Sequence, residues 1–128
     1  TQAEKSRANN SIIFPGFIQD NELQNLYQSA LAYIFPSLYE GFGLPPLEAM
    51  SQGCPVISSN QASLPEILKE GAIYFSPIDL WDFTNQVEKI INNKEIRNFL
   101  IIKGREVVNN YSWQKCAEET LKIYRKSL

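Results

Sequence analysis

Glu40 and Glu48 stand eight residues apart in YEGFGLPPLEAM, residues 39–50, on either side of a Gly41-Phe42-Gly43 turn and a Pro45-Pro46 step. An ionised carboxylate only accepts hydrogen bonds, so its natural partners are hydroxyl and N–H groups. Sugars and riboses present paired hydroxyls that two such carboxylates could grip. Gly41 and Gly43 permit positive φ and let a ligand approach the backbone closely. The N–H groups of Phe42, Gly43 and Leu44 could then form an anion-binding concavity, beside the partial positive charge of a helix start. Pro45 and Pro46 remove two first-turn donors, so a phosphate must lean on the glycine turn. Glu48 is expected in the first turn of that helix, where the dipole favours its ionised form. The same spacing also fits a dipole-stabilised Glu48 and a solvated Glu40 with no ligand between them.

Other chemistries are excluded by what these residues lack. The 128 residues contain no histidine. That removes a Ser-His-Asp triad, a His-paired cysteine nucleophile and His-ligated zinc from this chain. No GxxxxGK[ST] phosphate loop occurs. Cys54 and Cys116 form neither a CxxC pair nor a disulfide framework, which fits a reducing compartment. A net charge of −2 gives no nucleic-acid or polybasic membrane surface. No apolar run is long enough to span a membrane, and the opening TQAEKSRANN lacks the apolar stretch of a signal peptide.

The elements that must position the two glutamates follow from periodicity. Short β-branched and aromatic runs predict four strands, SIIFP (11–15), AYIFP (32–36), PVISS (55–59) and AIYFS (72–76). Asp20 is offered as the N-cap of a helix carrying Leu23, Leu26, Tyr27, Ala30 and Leu31. The prolines start a second helix that Gly53 ends, and Pro65 opens a short one ended by Gly71. Three apolar stripes follow: Leu80 to Ile91; Ile96 to Val108, interrupted by Gly104; and Trp113 to Tyr124, capped by Ser112. All three read as core-facing. The chain therefore reads as one domain over 1–128, alternating β/α over about 11–76 and helical over about 79–128. Strand-helix alternation without hairpins predicts an α/β fold, a parallel sheet of about four strands with flanking helices. Ligands bind such sheets outside the C-terminal strand ends, which are Gly16, Ser37–Glu40 and Ser58-Ser59. The quoted loop lies on that edge.

PSLYEGFGLPPLEAMSQGCPVISS, residues 36–59, resembles the donor-site segment of retaining glycosyltransferases of family 4, which have the GT-B fold. Pro36-Ser37, Glu40, Gly41-Phe42-Gly43, Glu48-Ala49 and Gly53-Cys54-Pro55-Val56 stand in that family's order. IIFPGFIQDNELQNLYQSA, SLPEIL, AIYFSP and YSWQKCAEETLKIY are similar to its flanking units, from about Ser11 onward. The resemblance implies a Rossmann-like C-terminal part of a GT-B fold. It implies that Glu40 contacts hydroxyls of the transferred sugar as the catalytic residue, by donor positioning and charge stabilisation. It gives Glu48 the ribose hydroxyls and Gly41, Phe42, Gly43 and Leu44 the sugar and diphosphate. Gly16 falls near the base. Ser37 lies beside the site, and local backbone bonding suits its hydroxyl as well as ligand contact does. Glu66 is read as a helix-start residue.

The resemblance further implies transfer from a nucleotide-sugar donor to a glycan or lipid-linked acceptor with retention at the anomeric carbon. A same-face, oxocarbenium-like displacement is expected, the leaving phosphate helping to take the acceptor proton. No cofactor and no metal are expected, and no DxD motif occurs. An N-terminal acceptor domain, the first two strands of the donor domain and the basic Arg/Lys pair facing the diphosphate are missing from these residues. In the complete order 3-2-1-4-5-6 those two strands separate SIIFP from AYIFP. Here SIIFP is expected to pair directly with AYIFP. The chain alone is expected to be inactive, its parent cytoplasmic or at the inner face of the membrane. A non-catalytic nucleotide-sugar-binding or interaction module is the alternative.

Overall fold

The computed structural model describes residues 11–127. In chain order the elements are α1 (Asp20–Ser29), β1 (Tyr33–Phe35), α2 (Leu44–Ser51), β2 (Val56–Ser59), α3 (Leu64–Leu68), a 3-10 turn (Lys69–Gly71), β3 (Ala72–Phe75), α4 (Leu80–Asn92), α5 (Lys94–Val108) and α6 (Trp113–Ser127). The strands form one parallel sheet in the order β1-β2-β3, with Tyr33 beside Val56 and Val56 beside Ala72. The expected α/β class and parallel pairing are therefore present. Among the described residues no helix is long and apolar enough to cross a membrane. The polar opening segment, residues 1–10, lies outside the described residues.

Side chains alternate across a strand, and the core divides accordingly. Val56 and Ala72 join Tyr27, Leu47, Met50, Leu64, Leu68 and Val107 on one face. Ile57 and Phe75 join Ile90 and Leu100 on the other. Both faces of β2 are covered, which is why PVISS reads as a continuous run rather than an alternating one. At β1 the cover is incomplete: Tyr33 and Phe35 pack on the first cluster, while Ile34 between them is exposed.

SIIFP is not a strand. Residues 12–16 have no regular structure, and Ile13 and Phe17 are 84% and 93% exposed. The expected pairing with β1 is absent. A strand is stable only when its N–H and C=O groups find a ladder. The expected strand order puts two further strands between these segments, and none of the described residues supplies them. The sheet accordingly has three strands, not four.

Three smaller expectations also change. Gln19, not Asp20, is the N-cap of α1. The third stripe is helical as expected, with the Ser112 hydroxyl accepting from the Lys115 N–H at 3.1 Å, but α6 buries none of its side chains. In the first two stripes Leu80, Ile91 and Phe99 face outward while Ile90, Leu100 and Val107 are buried.

Gly104 has a packing reason. A Cβ there would come within 3.0 Å of Met50 Cγ, and one on Gly71 within 3.1 Å of the Gly104 Cα. α5 thus crosses the 3-10 turn at backbone distance, with Met50 of α2 in the angle.

Candidate functional site

The loop from Pro36 to Gly43 leaves the C-terminal end of β1 and enters α2. Gly43 is the N-cap of α2 with φ +93°, a left-handed conformation that suits glycine. A Cβ on it would lie 2.8 Å from Cδ2 of the buried Leu64. Gly43→Ala is expected to destabilise the fold by about 1–3 kcal/mol, from left-handed strain and overpacking together. Thermal unfolding of the variant measures it. Gly41 does not have positive φ, contrary to the expectation for both glycines, and has open space where a side chain would be.

Because Gly43 caps it, α2 begins at Leu44, before both prolines. Glu48 is therefore the fifth helical residue and not in the first turn, and its expected stabilisation by the dipole is correspondingly weaker. Pro45 and Pro46 lack N–H groups, as expected. Among the described residues no backbone carbonyl accepts from the N–H groups of Phe42, Gly43 or Leu44 outside the helix ladders. Phe42 and Leu44 are exposed, whereas Gly43 is buried.

Glu40 is held at its carboxylate. The Ser37 hydroxyl donates to Glu40 Oε1 at 3.1 Å and lies 3.2 Å from the Tyr39 carbonyl. The local bonding expected as one alternative for Ser37 is present, together with a bond to the Glu40 carboxylate. The Ser37 carbonyl accepts from the buried Ser59 hydroxyl at the end of β2. The Ser63 hydroxyl lies 2.9 Å from the Glu40 carbonyl and 3.0 Å from that of Gly41. Phe42 stacks edge-to-face on Tyr111, ring centroids 5.5 Å apart, and the Tyr111 hydroxyl donates to the Ile67 carbonyl at 3.1 Å.

Glu48 borders two hollows. A cleft of about 710 Å³ is lined by Phe42, Leu44, Leu47 and Glu48 on one side and by Tyr111, Trp113, Lys115 and Cys116 on the other. That volume falls in the range of small-molecule sites. A second, of about 280 Å³, lies between α1 and α2 and is lined by Asp20, Gln24, Tyr27, Glu48 and Gln52 among others. Burial pushes the Tyr33 phenol up to about 12, and Tyr27, Glu48, Cys54 and Glu40 add to the effect. Burial also raises Tyr27, with Glu48 contributing, and takes the Cys54 thiol up to about 11, so that thiol is an inert core group.

The structure brings Phe42, Leu44 and Glu48 to one cleft, while Ser37 and Glu40, tied to each other, line neither hollow. Gly16 is exposed with φ +71° and lines neither hollow. Glu66 sits in the first turn of α3, as read. Ser63 and Tyr111 were not singled out from sequence, and Ser59 was named only as a strand end. For Ser63 a signal existed, a serine two residues before a helix-opening proline.

The sequence model of the glycosyl transferases group 1 family matches residues 1–107. The chain belongs to that family. Among group 1 relatives, it is 34% identical over 114 residues to O-antigen chain mannosyltransferase B of Escherichia coli, matching 89% of this chain and 30% of that protein. Its structure is similar to sucrose-phosphate synthase of Thermosynechococcus elongatus, with a TM-score of 0.86 and 29% identity over 98% of this chain and 32% of that one. It is also similar to the C-terminal domain of a group 1 family protein of Francisella tularensis, with a TM-score of 0.72 and 28% identity, covering 85% of this chain and 57% of that one. The architecture is that of the C-terminal part of a GT-B fold. The chain spans under a third of the length of the mannosyltransferase and the synthase.

Proposed function

We propose that these residues are the donor-binding part of a glycosyltransferase that moves a sugar from a nucleotide donor to a glycan or lipid-linked acceptor, with retention at the anomeric carbon. The observation that carries the reading is the loop after β1. It presents a tethered carboxylate, Glu40, the N–H groups of the exposed Phe42 and Leu44 and, one helical stretch later, Glu48 on the wall of a cleft of ligand size. Glu48 accepts from the ribose hydroxyls. The N–H groups of Phe42, Gly43 and Leu44 meet the diphosphate, joined by the basic Arg/Lys pair of the longer protein. Glu40 accepts from the sugar hydroxyls and offsets positive charge growing at the anomeric carbon. The bond from that carbon to the leaving phosphate oxygen breaks as the acceptor oxygen attacks on the same face, and the phosphate takes the acceptor proton.

Mannose is the first sugar to test, since the Escherichia coli relative is named for it. Two free thiols, Cys54 and Cys116, fit a cytoplasmic setting, including the inner face of a membrane. Thermal stabilisation of the full-length protein by a panel of nucleoside diphosphates and their sugars identifies the donor, because a specific ligand raises stability by mass action. With the stabilising nucleotide, Glu48→Gln is expected to weaken binding by about 1.5–3 kcal/mol, the loss of a charge-assisted hydrogen bond. An unchanged dissociation constant in a folded variant removes the ribose assignment. Nucleotide-sugar binding without transfer to any acceptor would favour the non-catalytic module instead.

A further inference from the structure

Ser63 precedes α3 and yet does not cap it through its side chain. A capping serine turns its oxygen to the N–H groups of the second or third helical residue. Here the second is Pro65, which has no N–H. The backbone of Ser63, at φ −80° and ψ −9°, is also not the extended form that aims a capping oxygen back at the helix. The hydroxyl is left free to reach across to the loop after β1, where it lies between the Glu40 and Gly41 carbonyls at 2.9 and 3.0 Å. One proton serves both oxygens, so both peptide planes are turned toward Ser63.

In a trans peptide the N–H points opposite to the C=O, and no cis bond occurs among the described residues. The carbonyls of Glu40 and Gly41 belong to the same peptide units as the N–H groups of Gly41 and Phe42. Those N–H groups are therefore turned away from Ser63. The Glu40 side chain is fixed separately by Ser37, whose carbonyl is held by Ser59. Glu40 is thus gripped at its carboxylate from its own loop and at its backbone from the loop after β2.

Taking the loop as a donor site, we propose that Ser63 is a positioning residue for sugar transfer. Its hydroxyl sets the two peptide planes around Gly41, and so holds the Glu40 carboxylate in one arrangement toward the donor. It acts through Glu40, without touching substrate. Small displacements of a positioned group are enough to cost a large share of a rate.

The test uses the full-length enzyme with its identified nucleotide sugar. Ser63→Ala is expected to lower kcat per folded molecule by about 10- to 100-fold, with KM for the donor within about threefold. Ser63→Thr, which keeps the hydroxyl, is expected to recover most of the rate. In a Glu40→Gln background, Ser63→Ala is expected to cost less than about threefold, because its route of action is already cut. A normal kcat for Ser63→Ala overturns the positioning role, as does a loss of activity that merely follows the folded fraction. So does a full loss in the Glu40→Gln background, and that cycle decides the matter if Ser63→Thr folds poorly. If Glu40→Gln alone keeps full turnover, the donor-site reading fails and takes the Ser63 role with it. A loss for Glu40→Gln without one for Ser63→Ala overturns only the latter.

Discussion

Glu40→Gln in the full-length protein is expected to cut turnover by about 100- to 1000-fold, the usual cost of removing a group aimed at transition-state charge. Nucleotide affinity is expected to stay within about threefold, since the substitution removes an interaction made mainly in the transition state. The amide keeps the size of the carboxylate and one acceptor oxygen, so the Ser37 hydroxyl retains a partner. What disappears is the negative charge, which a growing positive charge on the sugar needs and a bound nucleotide does not. Single-turnover rates with saturating donor, beside a nucleotide titration, separate the two quantities. If nucleotide affinity falls and turnover on bound donor does not, Glu40 does not face the sugar.

Met50→Ala is expected to lower unfolding free energy by about 3–5 kcal/mol, the upper part of the range for large-to-small core changes. Met50 is 1% exposed and packs against Gly71 and Gly104. The cost of such a change depends on how far the surroundings collapse into the space. Here two of the walls are glycine backbone, held by a helix and a 3-10 turn, with no side chains to swing inward. Urea unfolding measures the loss as a lower midpoint at unchanged slope. A loss under about 1 kcal/mol would mean the site refills, contrary to this packing. Because Met50 anchors α2, the variant also tests whether Glu48 depends on that anchor for nucleotide binding.

Much of this was legible in the sequence because the governing interactions are local. Strand-helix alternation from α1 to β3 and the Ser112 cap depend on neighbours a few residues away, and both stand where expected. Of the two glycines in the turn only Gly43 takes positive φ, and α2 begins one residue before Pro45. The loop lies on the C-terminal strand edge because parallel connections leave it nowhere else. The misses concern partners. SIIFP carries the composition of a strand, but pairing belongs to two segments, and only one of them is present. The Trp113–Tyr124 stripe carries the periodicity of a buried helix, and α6 has the helix without the burial. Glu48 was placed in the first turn because the prolines suggested the helix start, whereas Gly43, with its left-handed backbone, set it one or two residues earlier. Ser63 went unnoticed because its hydroxyl serves a loop more than twenty residues upstream.

The meeting of Met50, Gly71 and Gly104 has a consequence for how this sequence can change. Three positions on three different elements share one small volume. A methyl added at Gly104 meets only Met50, whereas one at Gly71 also meets the Gly104 backbone, so substitutions there do not add independently. Variation among the three is expected to be epistatic. A side chain that is damaging at position 104 becomes tolerable only in chains that have already become smaller at position 50.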